Sequence, residues 1–285
     1  MSAAAPRTRP AAAPAVGLVL LAVASLQVGA AFAVELFDEL GPAGAAFGRL
    51  AFAALIPVAI WRPRLRGRPA RDLRVAVAFG LALGAMNLCI YEAMDRIPLG
   101  VAVTFEFIGP LGVAVAGSRR PLDGLWVVLA AAGILLLADY GGGSLDPAGV
   151  AFALAAGVLW AAYIVLSART GRIFPGGTGL ALAMVAGAAL AAPFGIAGAG
   201  AELLRPELLS AVLAVALASS VLPYSLELEA LRRLPERVFG VLMSLEPAVA
   251  ALAGLAVLGQ DLAARDWLAI VLVVIASAGA STLER

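Results

Sequence analysis

The stretch 91–98 reads Tyr91-Glu92-Ala93-Met94-Asp95-Arg96-Ile97-Pro98, and it returns 137 residues later as Leu228-Glu229-Ala230-Leu231-Arg232-Arg233-Leu234-Pro235. The register continues without a gap, since Val101 matches Val238 and Pro110 matches Pro247. After a four-residue insertion, Trp126 matches Trp267. Matches of Glu, Arg, Pro and Trp in one register are rare by chance. They indicate that the chain of 285 residues contains two copies of one unit.

The composition is that of a membrane protein. Hydrophobic residues make up 62% of the chain and charged residues 14%, whereas a soluble domain is about half apolar and a quarter charged. A spanning helix needs about 20 predominantly apolar residues. Ten runs approach this length, the fifth and tenth being short: Ala15–Leu36, Ala43–Trp61, Leu73–Met94, Leu99–Gly117, Gly124–Asp139, Pro147–Ser167, Gly179–Ala199, Leu208–Leu231, Val238–Leu258 and Trp267–Ser281. We predict an all-α integral membrane protein with ten transmembrane helices.

The distribution of arginine predicts the orientation, because short cytoplasmic loops are enriched in basic residues. All 20 basic residues are arginines, and they concentrate in alternate loops, above all in the loop 62–74. With this loop on the inside, sixteen arginines are cytoplasmic, three lie outside and Arg49 lies within a helix. Both termini of this multi-pass protein are therefore predicted to be cytoplasmic.

Five helices per unit is an odd number, so the second unit must insert upside down relative to the first. The predicted organisation is a cytoplasmic tail at 1–14, a first five-helix unit at 15–140 and a second, inverted unit at 147–282. Inverted units are the geometry of alternating access, with sites near the bilayer midplane. The first apolar run also resembles a secretory signal with a cleavage-like Ala31-Phe32-Ala33, but the duplication needs it as the partner of the sixth helix.

Four ionisable residues lie at depth in apolar runs: Arg49, Glu106, Glu227 and Glu246. Each costs roughly 2.5–3.5 kcal/mol on insertion scales, and such groups usually face a cavity or a partner. For Arg49 two interpretations stay open, a buried ion pair that clamps helices and a role in binding substrate or controlling a gate. Glu246 precedes Pro247 directly, and proline weakens the hydrogen bonding of a helix. Glu246 is the leading candidate for coupling.

Polar and aromatic faces of three helices are candidates for the wall of a cavity. Ser220, Tyr224 and Glu227 share one face of the eighth helix at helical spacing. Asn87 and Tyr91 share a face of the third helix, and the repeat register pairs Asn87 with Tyr224.

In the sixth helix, Trp160 lies mid-membrane with Tyr163 beyond it, and Gln27 is the approximate counterpart of Trp160 in the first helix. Cavity lining and ordinary packing both remain open for this group. Glu92 and Glu229 lie near helix ends beside Arg96 and Arg232, which favours interfacial salt bridges.

Nothing in the sequence indicates catalysis. The chain has no His and a single Cys89, which excludes an intramolecular disulfide. It contains no phosphate-binding glycine loop, no metal-ligand cluster and no nucleophile beside a base. We therefore expect no enzyme activity, no cofactor and no bound metal.

The sequence resembles the drug/metabolite transporter superfamily with two five-helix EamA-type units, and more narrowly the bacterial threonine/homoserine exporter branch. The resemblance covers residues 17–282. The segments that carry it are RIPLGVAVTFEFIGP at 96–110, SRRPLD at 118–123, LPYSLE at 222–227 and RLPERVFGVLMSLEP at 233–247. Arg49, Glu106, Glu227 and Glu246 fall where this branch has the same residue types. Glu92 and Glu229 depart from it, since the branch typically has apolar residues there.

The resemblance implies a secondary exporter of small neutral amino acids or related metabolites that works by alternating access. Because the chain has no nucleotide-binding motif, proton antiport is the expected coupling. The expected partners are the small-molecule substrate, protons and the lipid bilayer, with no nucleic acid, and a homodimer is left open. Two alternatives remain: the same fold exporting another metabolite, such as a nucleoside or a toxic compound, and a passive channel.

Overall fold

The computed structural model describes residues 12–63, 67–117, 123–137, 145–231, 233–234 and 236–283, and it contains only helices and loops there. In chain order the α-helices are α1 Ala12–Val34, α2 Phe37–Trp61, α3 Ala70–Met94, α4 Leu99–Glu106, α5 Ile108–Gly117, α6 Asp123–Leu137, α7 Pro147–Ile173, α8 Thr178–Ala199, α9 Pro206–Ala216, α10 Leu222–Leu231, α11 Glu236–Met243, α12 Glu246–Leu258 and α13 Ala264–Leu283. A short 3₁₀ helix at Gly200–Leu204 follows α8.

These helices form ten spans, which confirms the predicted all-α class and the predicted number. Spans 4, 8 and 9 each consist of two helices: α4 and α5 meet at Phe107, α9 and α10 are joined by a π turn at Leu217–Val221, and α11 and α12 meet at Ser244. Among the described residues, seven helical segments are long and apolar enough to cross a membrane, and Leu99–Val113 and Gly124–Leu136 are shorter apolar helices.

The prediction that the tenth span is short is wrong. Span 10 is α13, Ala264–Leu283, with 20 residues. It begins before Trp267 because Asp266 stabilises its first turn, where the Oδ2 atom accepts a hydrogen bond from the backbone N–H of Ala263 at 2.9 Å. The described part of the fifth span, α6, has 15 residues.

Glycines allow the central spans to approach closely. A Cβ atom on Gly80 would lie 2.3 Å from the carbonyl oxygen of Ala183, and one on Gly84 would lie 2.6 Å from that of Gly187. Helices α3 and α8 therefore pack backbone to backbone and run in the same direction, as small residues permit in membrane helices.

The neighbours of each span follow the duplication. Span 1 packs on spans 8 and 9, and span 6, five places later, packs on spans 3 and 4. The pairs formed by spans 2 and 7, 4 and 9, and 5 and 10 also pack directly. Phe107 and Ser244, where spans 4 and 9 are interrupted, are 137 positions apart, the spacing of the sequence repeat. These packing pairs are therefore unchanged when the first five spans are exchanged with the last five.

The two ends of the bundle differ in their contacts. At one, the Asp95 end, the Gln260 Oε1 atom accepts a hydrogen bond from the Leu99 N–H at 2.9 Å, and the Arg205 Nη1 atom lies 3.0 Å from Glu39 Oε2. At the other, the Arg62 end, the Arg68 guanidinium lies 5.2 Å from the ring centroid of Phe174.

The largest apolar cluster lies towards the Asp95 end. It brings together buried residues from several spans, among them Ala31, Phe37, Met94, Leu99 and Ala253. A smaller cluster of Ala15, Val19, Val23, Ala230 and Leu234 joins spans 1 and 8 towards the Arg62 end. Apolar packing is therefore most extensive at the Asp95 end.

Candidate functional site

A cavity of about 470 Å³ lies at the centre of the bundle, between spans 1, 2, 3, 4, 6, 8, 9 and 10. The structure brings eight of the nine predicted site residues to its wall: Arg49, Asn87, Tyr91, Glu106, Trp160, Tyr163, Glu227 and Glu246. The side chain of the ninth, Tyr224, lies outside the part of the chain that the structure describes. Residues spread over nearly 200 positions of sequence thus line one cavity.

Arg49 connects three spans at the cavity wall. Its Nε atom donates to the Ser220 Oγ atom at 3.1 Å, Nη1 donates to Tyr91 Oη at 3.2 Å, and Nη2 donates to the Ser219 carbonyl at 3.2 Å. The guanidinium carbon also lies 5.7 Å from the centroid of the Tyr91 ring, within the range of a cation–π contact. The planar, multi-donor guanidinium suits this arrangement, and a single ammonium point charge does not.

The carbonyl that Arg49 binds is freed by a proline. In an α-helix the residue at 223 would donate its N–H to the carbonyl of residue 219, but Pro223 has no N–H. The helix accommodates this with the π turn at Leu217–Val221, in which the N–H of Leu222 bonds to the Leu217 carbonyl. The Ser219 carbonyl then accepts from Arg49 instead. The sequence Ser219-Ser220-x-x-Pro223 thus builds the acceptor site for the arginine.

Glu106 is placed by close packing of span 4 on span 6. The helix is interrupted just after it, and Pro110 cannot donate to the Glu106 carbonyl. This carbonyl lies against Gly157, where a Cβ atom would be only 2.7 Å from the oxygen. The Glu106 side chain is 8% exposed and faces the cavity.

Glu246 is the first residue of α12 and is followed by Pro247, which has no N–H to offer to the preceding turn. It is 2% exposed and lines the cavity together with Glu227 of α10. The carboxyl group of Glu246 is close enough to those of Glu106 and Glu227 to be repelled by both, and Arg49 attracts the carboxyl group of Glu106. The described wall therefore combines three carboxyl groups with one guanidinium.

Aromatic and amide side chains form the neutral part of the wall. Trp160 packs edge to face on Phe107, with 5.3 Å between ring centroids, and Tyr163 packs on Phe79 at 5.0 Å. Asn87 donates its Nδ2 hydrogen to the Leu83 carbonyl at 2.8 Å, so part of its amide is held by its own helix.

Sequence reasoning left several wall residues out of the site. Met86, Met94, Met243 and Phe239 are apolar residues of apolar spans, and nothing in their spacing distinguishes them from lipid-facing positions. Two further wall residues are polar: Gln27, for which the sequence left cavity lining and ordinary packing open, and Ser277, which is isolated in an apolar run and was not predicted. Gln27 is 4% exposed, and its Oε1 atom has no hydrogen-bond partner in the described part of the chain. Ser277 bonds to Ser244 at 3.1 Å between hydroxyl oxygens.

The two peripheral glutamates lie where the sequence indicated. Glu92 pairs with Arg96, with Oε2 and Nη1 2.6 Å apart. Glu229 pairs with Arg233, whose Nε atom lies 2.8 Å from Oε1. Arg232, beside which the sequence placed Glu229, lies outside the described residues. Neither glutamate lines the cavity. The same i,i+4 salt bridge thus occurs at the same place in both copies of the repeat.

Residues 147–282 match the model of the EamA-like transporter family. The threonine/homoserine exporter RhtA of Salmonella typhimurium (strain SL1344) is 42% identical over 271 residues, 94% of this chain and 91% of that protein. RhtA of Escherichia coli (strain K12) matches with the same identity and coverage. A crystal structure of another protein superposes with a TM-score of 0.62 at 21% identity, over 95% of this chain and 97% of that one.

The fold, the central cavity with its charged side chains and these relatives define a multi-pass membrane transporter, and the relatives are transporters and not enzymes. The chain belongs to the EamA-type drug/metabolite transporter superfamily, in its threonine/homoserine exporter branch.

Proposed function

We propose that the protein is a secondary active exporter of small neutral amino acids of the threonine and homoserine kind across the bacterial cytoplasmic membrane. The observation that carries the proposal is the pairing of 42% identity to such exporters over 94% of the chain with a central cavity lined by one arginine and three glutamates. At about 470 Å³ the cavity falls in the usual range of small-molecule sites.

The cavity has the charges that a zwitterion requires. The substrate carboxylate needs a cation, and Arg49 is the basic residue of the described wall; the ammonium needs carboxylates or carbonyls, which Glu106, Glu227 and Glu246 supply. In apolar surroundings, two opposite charges attract strongly when their geometry is good, whereas a single buried charge without a partner is destabilising. A zwitterionic amino acid can therefore pair its carboxylate with Arg49 and its ammonium group with the glutamates.

Alternating access follows from two inverted five-helix units, 15–140 and 147–282. The proposal is supported by the exchange pattern of neighbouring spans and by the interruptions at Phe107 and Ser244, one repeat apart. We assign the Arg62 end to the cytoplasm, with both termini there, from the distribution of arginine. The extensive apolar packing at the Asp95 end then closes the cavity towards the outside.

Coupling to protons accounts for the number of carboxyl groups. Three ionised glutamates and one guanidinium leave two uncompensated negative charges in the described wall, which is costly at membrane depth. Either protons or the substrate ammonium can neutralise this excess negative charge, so binding of one disfavours binding of the other. This competition is the requirement for antiport. Glu246, buried and next to the interruption of span 9, is the leading carrier.

Countertransport in proteoliposomes tests the proposal. Vesicles loaded with unlabelled threonine should accumulate labelled threonine transiently, and a panel of amino acids, nucleosides and toxic compounds inside the vesicles should rank the substrates. The expected result is saturable counterflow of threonine and homoserine. Flux of threonine that neither saturates nor shows counterflow would identify a channel, and counterflow by nucleosides alone would identify an exporter of another metabolite.

A further inference from the structure

A second cavity of about 210 Å³ adjoins the central one between α3, α7 and α8, and the two share the side chain of Tyr163. It lies towards the Arg62 end, because its wall includes Phe174 and Gly176 of the connection between α7 and α8. Gly176 and Gly171 are exposed, so the cavity opens at the surface there. It is separate from the site described above and touches none of the glutamates of that site.

Polar side chains lead from the central cavity into the second one along a single face of α7. Tyr163, Ser167 and Thr170 are spaced by four and three residues, so they lie one above another on the helix. The Ser167 hydroxyl donates to the Ile164 carbonyl at 3.0 Å. Thr170 is 2% exposed, and its Oγ1 atom has no hydrogen-bond partner among the described residues. An unpaired buried hydroxyl is costly, and a polar ligand would satisfy it.

The barrier between the cavities is an aromatic pair. Tyr163 packs on Phe79, with ring centroids 5.0 Å apart and planes inclined at 53°. Both residues line the second cavity, and Phe79 is buried. Tyr163 is the residue that the walls of the two cavities share. At the mouth, the guanidinium of Arg68 lies 5.2 Å from the ring of Phe174, another wall residue, and provides a positive charge.

From these features we infer that the second cavity is an entrance site, where the transported amino acid binds before it passes Tyr163 into the central cavity. The inference rests on the proposed export of small amino acids. A positive mouth attracts a carboxylate, and the hydroxyl face accepts and donates hydrogen bonds to a small polar solute. The volume of about 210 Å³ lies below the roughly 300–1,000 Å³ of drug-sized ligand pockets, which suits a molecule as small as threonine.

The test uses a thiol at the wall of the second cavity. Cys89 is the single cysteine, so a Cys89→Ala parent carries no other thiol. Ser167→Cys is nearly isosteric in this parent, and Ala168→Cys, one residue along and exposed, is the matched control. The purified proteins are treated with a bulky cationic methanethiosulfonate, with and without threonine or glycerol, and the labelling rates are measured. Threonine counterflow is then measured after reconstitution.

The inference predicts that threonine, and not glycerol, slows labelling of the Ser167→Cys protein, and that labelling lowers its counterflow at least about tenfold, the effect of 1.4 kcal/mol. The Ala168→Cys protein should show neither effect. Normal counterflow in the labelled Ser167→Cys protein, or labelling that threonine does not slow, would overturn the inference while leaving the proposed function intact. Absence of counterflow in the unlabelled parent would refute the proposed function. In that case, threonine protection of the Ser167→Cys protein would still identify an amino-acid site, and absence of that protection would overturn both.

Discussion

Replacement of Arg49 should stop transport even when the protein folds. The guanidinium donates to Ser220, to Tyr91 and to the Ser219 carbonyl at 3.1–3.2 Å, and these acceptors belong to spans 3 and 8. A hydrogen bond to a charged group contributes about 1.5–3 kcal/mol. Arg49→Lys keeps the charge, but one ammonium cannot reach three acceptors in this fork geometry. Loss of a single bond then lowers function by about 10- to 100-fold, and Arg49→Ala should abolish transport.

The assay is the initial rate of threonine counterflow per amount of monodisperse protein. Ser220→Ala and Tyr91→Phe are matched controls, since each removes one neutral acceptor and leaves the guanidinium. Each breaks one hydrogen bond to the charged guanidinium and leaves the other two in place, so each should lower the rate by about tenfold, the lower end of that range. Arg49→Lys should cost more, because it loses the fork geometry as well. The reasoning is refuted if well-expressed Arg49→Ala protein transports at the wild-type rate, or if Arg49→Lys is more active than both controls.

Three further predictions concern coupling, topology and the peripheral charges. Glu246→Gln cannot release a proton, so it should lose gradient-driven accumulation and keep threonine exchange, whereas Glu106→Gln and Glu227→Gln should weaken exchange as well if they bind substrate; unchanged accumulation by the Glu246→Gln protein would pass the coupling role to another residue. In a protein without Cys89, a thiol introduced by Gly67→Cys should resist an impermeant reagent applied to intact cells, and one introduced by Gly143→Cys should react; labelling of the first from outside would contradict the assigned orientation. Glu92→Gln and Glu229→Gln remove exposed salt bridges, so thermal stability should change by less than about 1 kcal/mol and transport should persist; a large loss of transport in either would place that glutamate in the mechanism.

The number of spans was predictable because a membrane imposes a length and an apolar composition on each helix. The residues at which the spans begin and end were harder to predict from the sequence. Asp266, polar and outside the apolar run, starts α13 earlier than hydrophobicity indicated. Gly41 has a positive φ of 64°, so the chain turns there before Pro42. Hydrophobicity does not report such local backbone geometry.

For the central cavity, ionisable residues were the informative signal, because their burial in a bilayer requires a partner or an aqueous space. Arg49, Glu106, Glu227 and Glu246 lie together for this reason. The partners of Arg49 were not predictable. The Ser219 carbonyl is a backbone group that becomes available only because Pro223 and the π turn alter the hydrogen bonding of span 8. The methionines of the cavity wall are apolar, as residues that face lipid are, so the sequence does not distinguish the two.

Proton movement driven by a threonine gradient tests the central claim most directly. Proteoliposomes that contain the wild-type protein and a trapped pH-sensitive dye are loaded with threonine and diluted into threonine-free buffer. Proton antiport predicts that threonine efflux carries protons inward, so the lumen acidifies; vesicles with the Glu246→Gln protein should show no pH change. Efflux of threonine from wild-type vesicles without any acidification of the lumen would contradict proton antiport by this protein.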